Sequence, residues 1–512
     1  MLKISSKQKI APAVQKELKQ KNIDALIGKF IKEFSEGEIF LVGGVLRDIL
    51  IGRKKRNDFD FVVRGVQPTK LKLFLQKYGT VSLVGKNFGV FKFRPKNFKE
   101  SKFIDFALPR TEHALGSGGY RDFDVQSNAN LPIEKDLSRR DFTINALAWD
   151  LKNKKLIDLF GGLNDLRGGI IRTVGDPKER FFEDYSRILR ALRFAAELNF
   201  EIENRTWRAI KKLMPAINKK KAAKFIVPRE TVAKEFLKSF YADPLDSFER
   251  WDQAGAFERL IPEITTLKIC PQPFEYHAEG NAWKHIHLAL KVLVSEKFKK
   301  EFNIGHPPLY VSLGVLFHDI AKPKTVTRRS KKHAHISFPG HAALGAKMAK
   351  KIVKRLCLES FKAPGIDIEA KKLGWLVEQH MFILGNDPKS VPLTTIEEYF
   401  MKENFPRDFL LQICYCDIRG SKMGSSIANV YEINYFGYKE RIRKLRKRFP
   451  KGLPEKLLDG REIQEILKIK PGPKIAQLLK DIREEQLQGN IETKKEAKKF
   501  LKNKMLRRFR SK

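Results

Sequence analysis

The sequence is poor in cysteine and has no long apolar run. Its 512 residues include four cysteines, and no apolar stretch approaches the roughly 20 residues that a membrane-spanning helix requires. The cysteines (Cys270, Cys357, Cys414 and Cys416) have neither the spacing of a disulfide framework nor that of a zinc ribbon. The first residues, MLKISSKQKIAPAV, are charged and lack the apolar core of a signal peptide. We therefore expect a cytoplasmic protein without a membrane partner.

Acidic residues are also scarce in comparison with basic ones. Lysine and arginine together number 101 against 60 aspartates and glutamates, which gives a formal net charge of +41. Such an excess indicates a polyanionic partner, and nucleic acid is the first candidate. A generally lysine-rich proteome and contact with an anionic membrane are the alternative explanations.

The length and the apolar pattern predict several domains. The composition is that of a globular protein, with 42% hydrophobic and 31% charged residues, but the chain is too long for one core. Apolar runs typical of strands occur at residues 39–42, 58–63, 81–84, 90–94 and 103–108. Glycines and polar residues at 111–130 predict a mobile loop, and beyond about residue 180 the pattern is almost wholly helical. We predict an α+β first part followed by all-α domains.

A first motif combines a glycine pair with two closely spaced aspartates, in the stretch IFLVGGVLRDILIGRKKRNDFDFVV. Asp58 and Asp60 are two residues apart on a predicted strand, so their side chains project from the same face. Two adjacent carboxylates repel each other unless a cation lies between them, and Mg²⁺ prefers such oxygen ligands. Gly43 and Gly44 allow backbone N–H groups to approach a triphosphate, and Arg47 adds charge. A solvated aspartate pair at a strand end is the alternative.

A second motif is the segment EKDLSRRDFTINALAWD. Arg139 and Arg140 could bind phosphate groups bidentately, and Asp141 could accept a hydrogen bond from a ribose hydroxyl. Asn145 follows Asp141 by one helical turn, so we expect the two to share a helix face. An exposed charge cluster at a helix start is the other interpretation.

A third motif, EDYSRILRALRF, contains Asp184, Arg187 and Arg190. The spacing predicts Asp184 and Arg187 on one helix face, where a surface ion pair is the common explanation. The same pair matches cytosine and adenine, because a carboxylate accepts from the exocyclic amine and a guanidinium donates to the adjacent ring nitrogen. Uracil and guanine present the opposite pattern, which would leave buried groups unpaired at a cost of roughly 1–3 kcal/mol each. One surface could thus select CTP and ATP without a template.

Together, GGVLRD…DFDF, RRDFTINA and EDYSRILRALRF resemble motifs A, B and D of class II tRNA nucleotidyltransferases, the CCA-adding enzymes, to which bacterial poly(A) polymerases are related. The resemblance implies a polymerase-β-like nucleotidyltransferase head, a mixed sheet with helices, followed by all-α neck, body and tail domains. It also implies tRNA, CTP and ATP as partners. The region 111–130 would be the element that helps this family switch from C to A addition.

The resemblance assigns roles to residues by position. Two Mg²⁺ ions would be held by Asp58 and Asp60, with Asp105 as a further active-site carboxylate. The nucleotide would be bound by a larger set: Gly43, Gly44, Arg47, Arg139, Arg140, Asp141, Asn145, Asp184, Arg187 and Arg190. Within that set, the glycines and Arg47 would hold the triphosphate, and Asp184 with Arg187 would read the base.

The middle of the chain has a second constellation, built of histidines and aspartates. The segments WKHIHLAL, LFHDIAK, FPGHAALGA, LVEQH and CYCDIRG together resemble the HD phosphohydrolase superfamily. The implied metal ligands are His285, His318, Asp319 and Asp417, with His341 and His380 completing the set of binuclear members. Mixed imidazole and carboxylate ligation suits Mn²⁺, Ni²⁺, Fe²⁺ or Zn²⁺. Phosphatase or 2′,3′-cyclic phosphodiesterase activity is implied, and an HD fold retained for structure is the alternative.

The sequence therefore predicts template-independent addition of C and A nucleotides to the tRNA 3′ end by a two-metal enzyme. The alternatives are CC-only or A-only addition, a poly(A) polymerase, or an HD phosphohydrolase with an RNA-binding head. The predicted segments are a basic N-terminal extension, the head, a neck and body, the HD domain and a basic helical tail, at residues 1–25, 26–150, 151–270, 271–425 and 426–512. The oligomeric state is left open.

Overall fold

The protein divides into two compact units, residues 1–260 and 261–512. The structure, a computed structural model, describes residues 7–20, 23–53, 59–84, 89–96, 103–114, 118–119, 123–327, 336–401, 408–421 and 428–510. Asp58, the first predicted metal ligand, lies outside these residues.

The first unit combines a mixed β-sheet with many helices. Its helices are α1 Lys7–Gln20, α2 Asp24–Glu33, α3 Gly43–Leu50, α4 Pro68–Tyr78, α5 Ile133–Ser138, α6 Gly162–Gly168, α7 Pro177–Glu183, α8 Ser186–Leu198, α9 Asn204–Leu213, α10 Arg229–Ala242, α11 Pro244–Gln253 and α12 Ala256–Leu260. Single 3₁₀ turns occur at Thr143–Asn145 and Met214–Asn218.

The strands of this unit are β1 Glu38–Val42, β2 Asp60–Arg64, β3 Gly79–Val84, β4 Val90–Pro95, β5 Ile104–Ala107, β6 Arg110–Ala114, β7 Phe123–Ser127, β8 Leu147–Asp150, β9 Lys155–Asp158, β10 Ile170–Ile171, β11 Glu201–Ile202, β12 Lys220–Lys221 and β13 Lys224–Phe225. Seven of them form one sheet in the order β3-β4-β5-β2-β1-β8-β9. All its pairs are antiparallel except β2 with β5, which is parallel.

Alternation along β2 explains how this sheet is covered. Val62 belongs to a buried cluster with Ile133 and Leu137 of α5. Phe61 points to the other face, where its ring stacks on Phe106 at 5.0 Å between centroids. Because successive strand residues alternate in direction, Asp60 shares the α5 face with Val62. The segment that follows α5 is thereby brought to the carboxylate.

The predicted α+β first part and helical remainder are confirmed, and the five predicted strands occur within two residues of their expected bounds. The predicted mobile loop at 111–130 is wrong in its described part, since β6 and β7 pair there as an antiparallel ribbon. The helix expected around Asp141 and Asn145 is also wrong. After one 3₁₀ turn the chain enters β8, which pairs with β1 and is buried along its whole length, and so its apolar run favours a strand.

The regular elements of the second unit are helices in the part of it that the structure describes. Its helices are α13 Pro262–Thr265, α14 Ala282–Leu293, α15 Glu296–Phe302, α16 Leu309–Phe317, α17 Lys322–Thr325, α18 His341–Arg355, α19 Ala370–Gln379, α20 Phe382–Gly385, α21 Leu393–Phe400, α22 Asp408–Gly420, α23 Ala428–Arg448, α24 Gly460–Leu467, α25 Pro473–Gln488 and α26 Lys494–Arg510. Single 3₁₀ turns occur at Thr266–Ile269 and Leu358–Ser360. No helix among the described residues is both long and apolar enough to cross a bilayer.

Close packing of α14 against α22 generates our first prediction. A Cβ atom added at Gly420 would lie 2.8 Å from the backbone of Ala289, whereas one added at Gly385 would meet nothing within 4 Å. We expect Gly420→Ala to lower the free energy of unfolding of the second unit by about 1–3 kcal/mol, because the two helices must separate. Gly385→Ala is the matched control in chemical denaturation. Equal stability of the two variants would contradict the proposed tight contact.

Candidate active sites

Two carboxylates lie side by side on the central strands of the first unit. In the parallel pair of β2 and β5, Asp60 is the direct partner of Asp105, and both are half-buried. Partners in adjacent strands project from the same face of a sheet. The sheet therefore brings together Asp60 and Asp105 from two segments that the sequence separates by more than forty residues. Two acidic groups in this register suit a divalent cation with oxygen ligands.

The glycine turn lies directly against this acidic pair. Gly43 begins α3 with a φ of +75°, a conformation that favours glycine. A Cβ atom there would lie 3.1 Å from Asp60 Oδ2 and 3.4 Å from Arg140 Nη1. At Gly44 the added atom would lie 3.5 Å from Arg47 Nη2. The glycine thus leaves space in which backbone, a carboxylate and a guanidinium face one another.

A fully buried carboxylate, Asp136, orients the two adjacent arginines. Its Oδ1 accepts from Arg139 Nη2 at 2.5 Å, and its Oδ2 accepts from Arg140 Nη2 at 3.0 Å. Arg140 Nη1 also donates to the backbone carbonyl of Asn145 at 3.2 Å. Burial opposes ionisation of Asp136, but the two guanidiniums outweigh it and lower its pKa. The arginine pair is thus preorganised.

Asp141 and Asn145 connect α3 to α8 through side-chain hydrogen bonds. Asn145 Nδ2 donates to Asp141 Oδ1 at 3.0 Å, and Asn145 Oδ1 accepts from Arg47 Nη1 at 2.8 Å. Asp141 Oδ2 accepts from Arg190 Nε at 2.8 Å. Burial acts against the charge of Asp141, but Arg190 and Asn145 dominate and lower its pKa. Arg47 is 5% exposed, so its guanidinium is an internal connector rather than an open phosphate contact.

Asp184 and Arg187 occupy different positions from those that the spacing predicts. Asp184 is extended, lies just before α8 and accepts from the backbone N–H of Ser186 at 2.8 Å. Arg187 is on the first turn of α8 and pairs with Glu183 Oε2 at 2.6 Å. Its Nη2 donates to the carbonyl of Arg139 at 3.1 Å. Both residues are at the start of the helix, but the pair on one helix face is not formed.

The second unit gathers four imidazole rings in one buried place. Backbone carbonyls accept from Nδ1 of three of them, at distances of 2.8 Å for His318, 2.8 Å for His341 and 2.7 Å for His380. Because a carbonyl only accepts, each Nδ1 carries the proton, and each Nε2 of a neutral ring presents a lone pair. Two Nε2 pairs nevertheless approach to 3.2 Å, His285 with His318 and His341 with His380. Facing lone pairs of this kind fit a metal ion.

Two buried aspartates complete this cluster. Asp417 Oδ1 lies 3.0 Å from His285 Nε2, and the two carboxylate oxygens of Asp319 lie 3.3 Å from His318 Nε2 and 3.6 Å from His341 Nε2. Asp319 Oδ2 makes no hydrogen bond of good geometry, although Lys322 Nζ is 2.7 Å away. The residues separate into two groups of possible ligands, His285, His318 and Asp417, and Asp319, His341 and His380.

The charges of these rings respond to the carboxylates around them. Burial opposes a charged His285, yet its hydrogen bonds to Asp417 and Glu279 raise its pKa to about 9, so that without a metal its Nε2 carries a proton at the position where a cation would bind. Burial together with His318 and His341 lowers the pKa of His380 to about 3. A cavity of about 380 Å³ opens onto Asp319, His341, His380 and Asp417. The site can therefore hold cations next to a space that would admit a small phosphate compound.

Comparison with known proteins assigns the first unit. Residues 39–172 match the model of the poly A polymerase head domain. The multifunctional CCA protein of Nitrosococcus oceani is 36% identical over 321 residues, which are 62% of this chain and 70% of that relative.

The chain belongs to the family of multifunctional CCA proteins.

Other CCA proteins support the same grouping. The multifunctional CCA protein of Nitrosospira multiformis is 29% identical over 389 residues, 74% of this chain and 83% of that protein. The Bacillus stearothermophilus CCA-adding enzyme in complex with CTP has a TM-score of 0.58 and 19% identity over 95% of this chain and 98% of its own. The Thermotoga maritima CCA-adding enzyme complexed with tRNA has a TM-score of 0.56 and 20% identity over 94% of this chain and 95% of its own. These two structures confirm the fold that the resemblance implied.

Three residues of this CCA protein escaped the sequence reasoning. Asp136 precedes the arginine pair by three and four residues, a spacing that signals ion pairs on one helical turn. Lys322 follows Asp319 at the same interval of three. Glu279 accepts from His285 Nδ1 at 3.1 Å, and the preceding loop gave no periodic signal for it. His287, which the sequence left aside, is outside the ligand groups formed by the described residues.

The buried Asp136 generates the second prediction. We expect Asp136→Asn to lower the free energy of unfolding of the first unit by about 3–5 kcal/mol, because two guanidiniums lose their buried counter-charge. Glu134→Gln, at an exposed position of the same helix, is the control. Chemical denaturation measures both. A loss below about 1 kcal/mol in Asp136→Asn would show that the arginines are held by other contacts.

Proposed function

We propose that this protein adds C and A nucleotides to the 3′ end of tRNA, as a CCA tRNA nucleotidyltransferase. The observation that carries the proposal is the pairing of Asp60 with Asp105 beside Gly43. It rests also on membership of the CCA family and on the net charge of +41, which suits an RNA partner. CTP and ATP are the proposed nucleotide substrates, and the relative of known structure with CTP supports this choice.

Divalent ions, by preference Mg²⁺, fit the head site. The in-register carboxylates of Asp60 and Asp105 would hold them, and Asp58 would join as the sequence predicts. Bound Mg²⁺ supplies Lewis-acid chemistry that activates the attacking 3′-hydroxyl and neutralises the triphosphate. The chain itself contributes position and charge. Arg140, held beside Asp60 by Asp136, is oriented toward the space where phosphate oxygens would lie.

Base selection is proposed for the start of α8. Asp184 lies within two residues of the first helical turn that carries Arg187, and burial raises the pKa of Asp184. Its carboxylate can accept from the amine of cytosine or adenine, and Arg187 can donate to the ring nitrogen beside it. Arg187 is already tied to Glu183 and to the Arg139 carbonyl, so its position is set before the nucleotide binds.

The third prediction tests the nucleotidyltransferase site. Asp60→Asn should lower incorporation of CTP and ATP by roughly 10²–10³-fold or more, since charge stabilisation at the reacting phosphate is lost. Binding of tRNA should be unchanged, because a carboxylate contributes no attraction to the RNA phosphates. The assay incubates tRNA lacking its CCA end with Mg²⁺ and one or both nucleotides, and it reads product length on a gel.

Glu36→Gln, at an exposed position of the head just before β1, serves as the control. If Asp60→Asn incorporated nucleotides as fast as the parent, the proposed role of the acidic pair would be contradicted. In the parent protein, three added nucleotides support full CCA addition, one or two select the A-only or CC-only alternative, and a long ladder selects a poly(A) polymerase.

A second activity is proposed for the histidine cluster, that of an HD-type metal-dependent phosphohydrolase. His285, His318, Asp319 and Asp417 would hold one transition metal such as Mn²⁺, Ni²⁺, Fe²⁺ or Zn²⁺, and His341 and His380 would help hold a second. The facing Nε2 pairs fit such ions without rearrangement of Nδ1. A bound ion supplies Lewis-acid chemistry that activates water for attack on phosphorus.

The fourth prediction concerns metal content. We expect about two transition-metal ions per chain when the apoprotein is titrated with Mn²⁺ in calorimetry, because the six predicted ligands form two groups. The double variant His341→Ala/His380→Ala should keep one ion, and His287→Ala, on the same helix as His285, should keep both. If the parent bound no Mn²⁺ with high affinity, the proposed HD centre would be contradicted. If the parent and the double variant each bound one ion, the centre would be mononuclear.

Two further assignments accompany this function. We propose the five segments 1–25, 26–150, 151–270, 271–425 and 426–512 as extension, head, neck and body, HD domain and tail, with β9 as a part of the head sheet that extends past residue 150. We also propose the cytoplasm as the place of action, because Cys270, Cys414 and Cys416 are buried thiols, which suit a reducing compartment.

A further inference from the structure

A single carboxylate lies behind the first ligand group of the second unit. Glu279 is 9% exposed, and its Oε1 accepts from His277 Nδ1 at 2.8 Å and from His285 Nδ1 at 3.1 Å. The rings of the two histidines meet edge to face, with centroids 4.8 Å apart. One oxygen atom therefore receives both Nδ1–H groups.

The hydrogen bonds to Glu279 determine which nitrogen of each ring faces the site. An ionised carboxylate can only accept, so both histidines carry a proton on Nδ1, and both Nε2 atoms are left as acceptors when the rings are neutral. His285 Nε2 then points toward His318 Nε2 and Asp417 Oδ1, at 3.2 and 3.0 Å. His277 lines the cavity.

The loop that carries Glu279 keeps its shape through other contacts. The backbone N–H of Gln272 donates to the carbonyl of Gly280 at 3.1 Å, and that of Ala282 donates to Cys270 at 3.1 Å. Asn281 Nδ2 donates to the Lys268 carbonyl at 2.9 Å. The loop thus has contacts of its own in addition to those of the Glu279 carboxylate, which faces the two imidazole rings.

We propose that Glu279 is a positioning residue of the second centre, which sets the tautomer and ring orientation of His285 as a metal ligand and of His277 on the cavity wall. The inference rests on the proposed HD centre. A carboxylate that accepts from the remote nitrogen of a ligating histidine fixes the ring and increases its basicity as a ligand, and loss of such a partner typically weakens metal binding 10–100-fold.

The test compares Glu279→Gln with Glu275→Gln, an exposed carboxylate of the same loop. Mn²⁺ affinity is measured by calorimetry on the full chain, and imidazole ¹⁵N shifts are recorded for the metal-free protein labelled at histidine, at a pH high enough for both rings to be neutral. We expect Glu279→Gln to bind Mn²⁺ roughly 10–100-fold more weakly, because a neutral amide no longer increases the basicity of His285. Glu279→Ala should in addition lose the uniform Nδ1–H tautomer at His277 and His285, because it has no acceptor. Glu275→Gln should match the parent, and Glu279→Asp should restore part of the affinity.

The outcomes separate this inference from the HD centre itself. If the parent binds no metal, the proposed HD centre is contradicted, and the ¹⁵N shifts still show whether Glu279 sets the tautomers. If the parent binds Mn²⁺, Glu279→Gln binds it equally well and Glu279→Ala keeps the same tautomers, the role of Glu279 is overturned. If Glu279→Gln does not fold, the ¹⁵N shifts of the parent decide the matter. An Nε2–H tautomer at His285 would then overturn the inference.

Discussion

The head site depends on the electrostatic contact between buried Asp136 and the two arginines that follow its helix. Asp136 has no exposed surface, and each of its oxygens faces a guanidinium. This contact places Arg140 against Gly43 and Asp60, and it leaves the Arg139 carbonyl where Arg187 can donate to it. The acidic strand, the glycine turn and the start of α8 are therefore linked by one set of interactions. Because the groups are paired before any nucleotide binds, the reorganisation needed for phosphoryl transfer is small.

The second centre follows the opposite electrostatic rule. In the head, the arginines are neutralised by buried carboxylates, whereas the histidine cluster turns Nε2 atoms toward one another and adds Asp319 and Asp417. The Nδ1 atoms are bound to the backbone in three rings and to Glu279 in the fourth, so the rings cannot turn away to relieve this. Such an arrangement is favourable only with cations present. The first unit thus has arginines preorganised by internal ion pairs, and the second unit has a cluster that the proposed metal ions would complete.

Sequence reasoning predicted the fold and the two clusters better than it predicted the contacts within them. Period-two apolar runs located β1 to β5, and the spacing of the aspartates anticipated a carboxylate on the face of β2, although Asp58 lies outside the described residues. Asp105 was proposed from the family resemblance, and its register with Asp60 depends on a parallel pairing that no local pattern encodes. The ribbon of β6 and β7 was missed because glycine and polar residues dominate the stretch between them. Arg47 was assigned to phosphate because its charge is visible in sequence, whereas its burial against Asn145 is a tertiary property.

Basic residues of this protein serve two purposes that the net charge of +41 does not distinguish. In the first unit, Arg139, Arg140 and Arg190 are half-buried and bound to buried carboxylates, so their guanidiniums have fixed directions. In the second unit, lysines such as Lys495, Lys498 and Lys502 of α26 lie exposed on a helix with few acidic neighbours. Planar, rigid guanidiniums suit recognition of defined groups, and flexible ammonium groups suit sequence-independent attraction to a phosphate backbone. Under the proposed function, the fixed arginines would position the bound nucleotide, and the exposed lysines would set how strongly a polyanion is held.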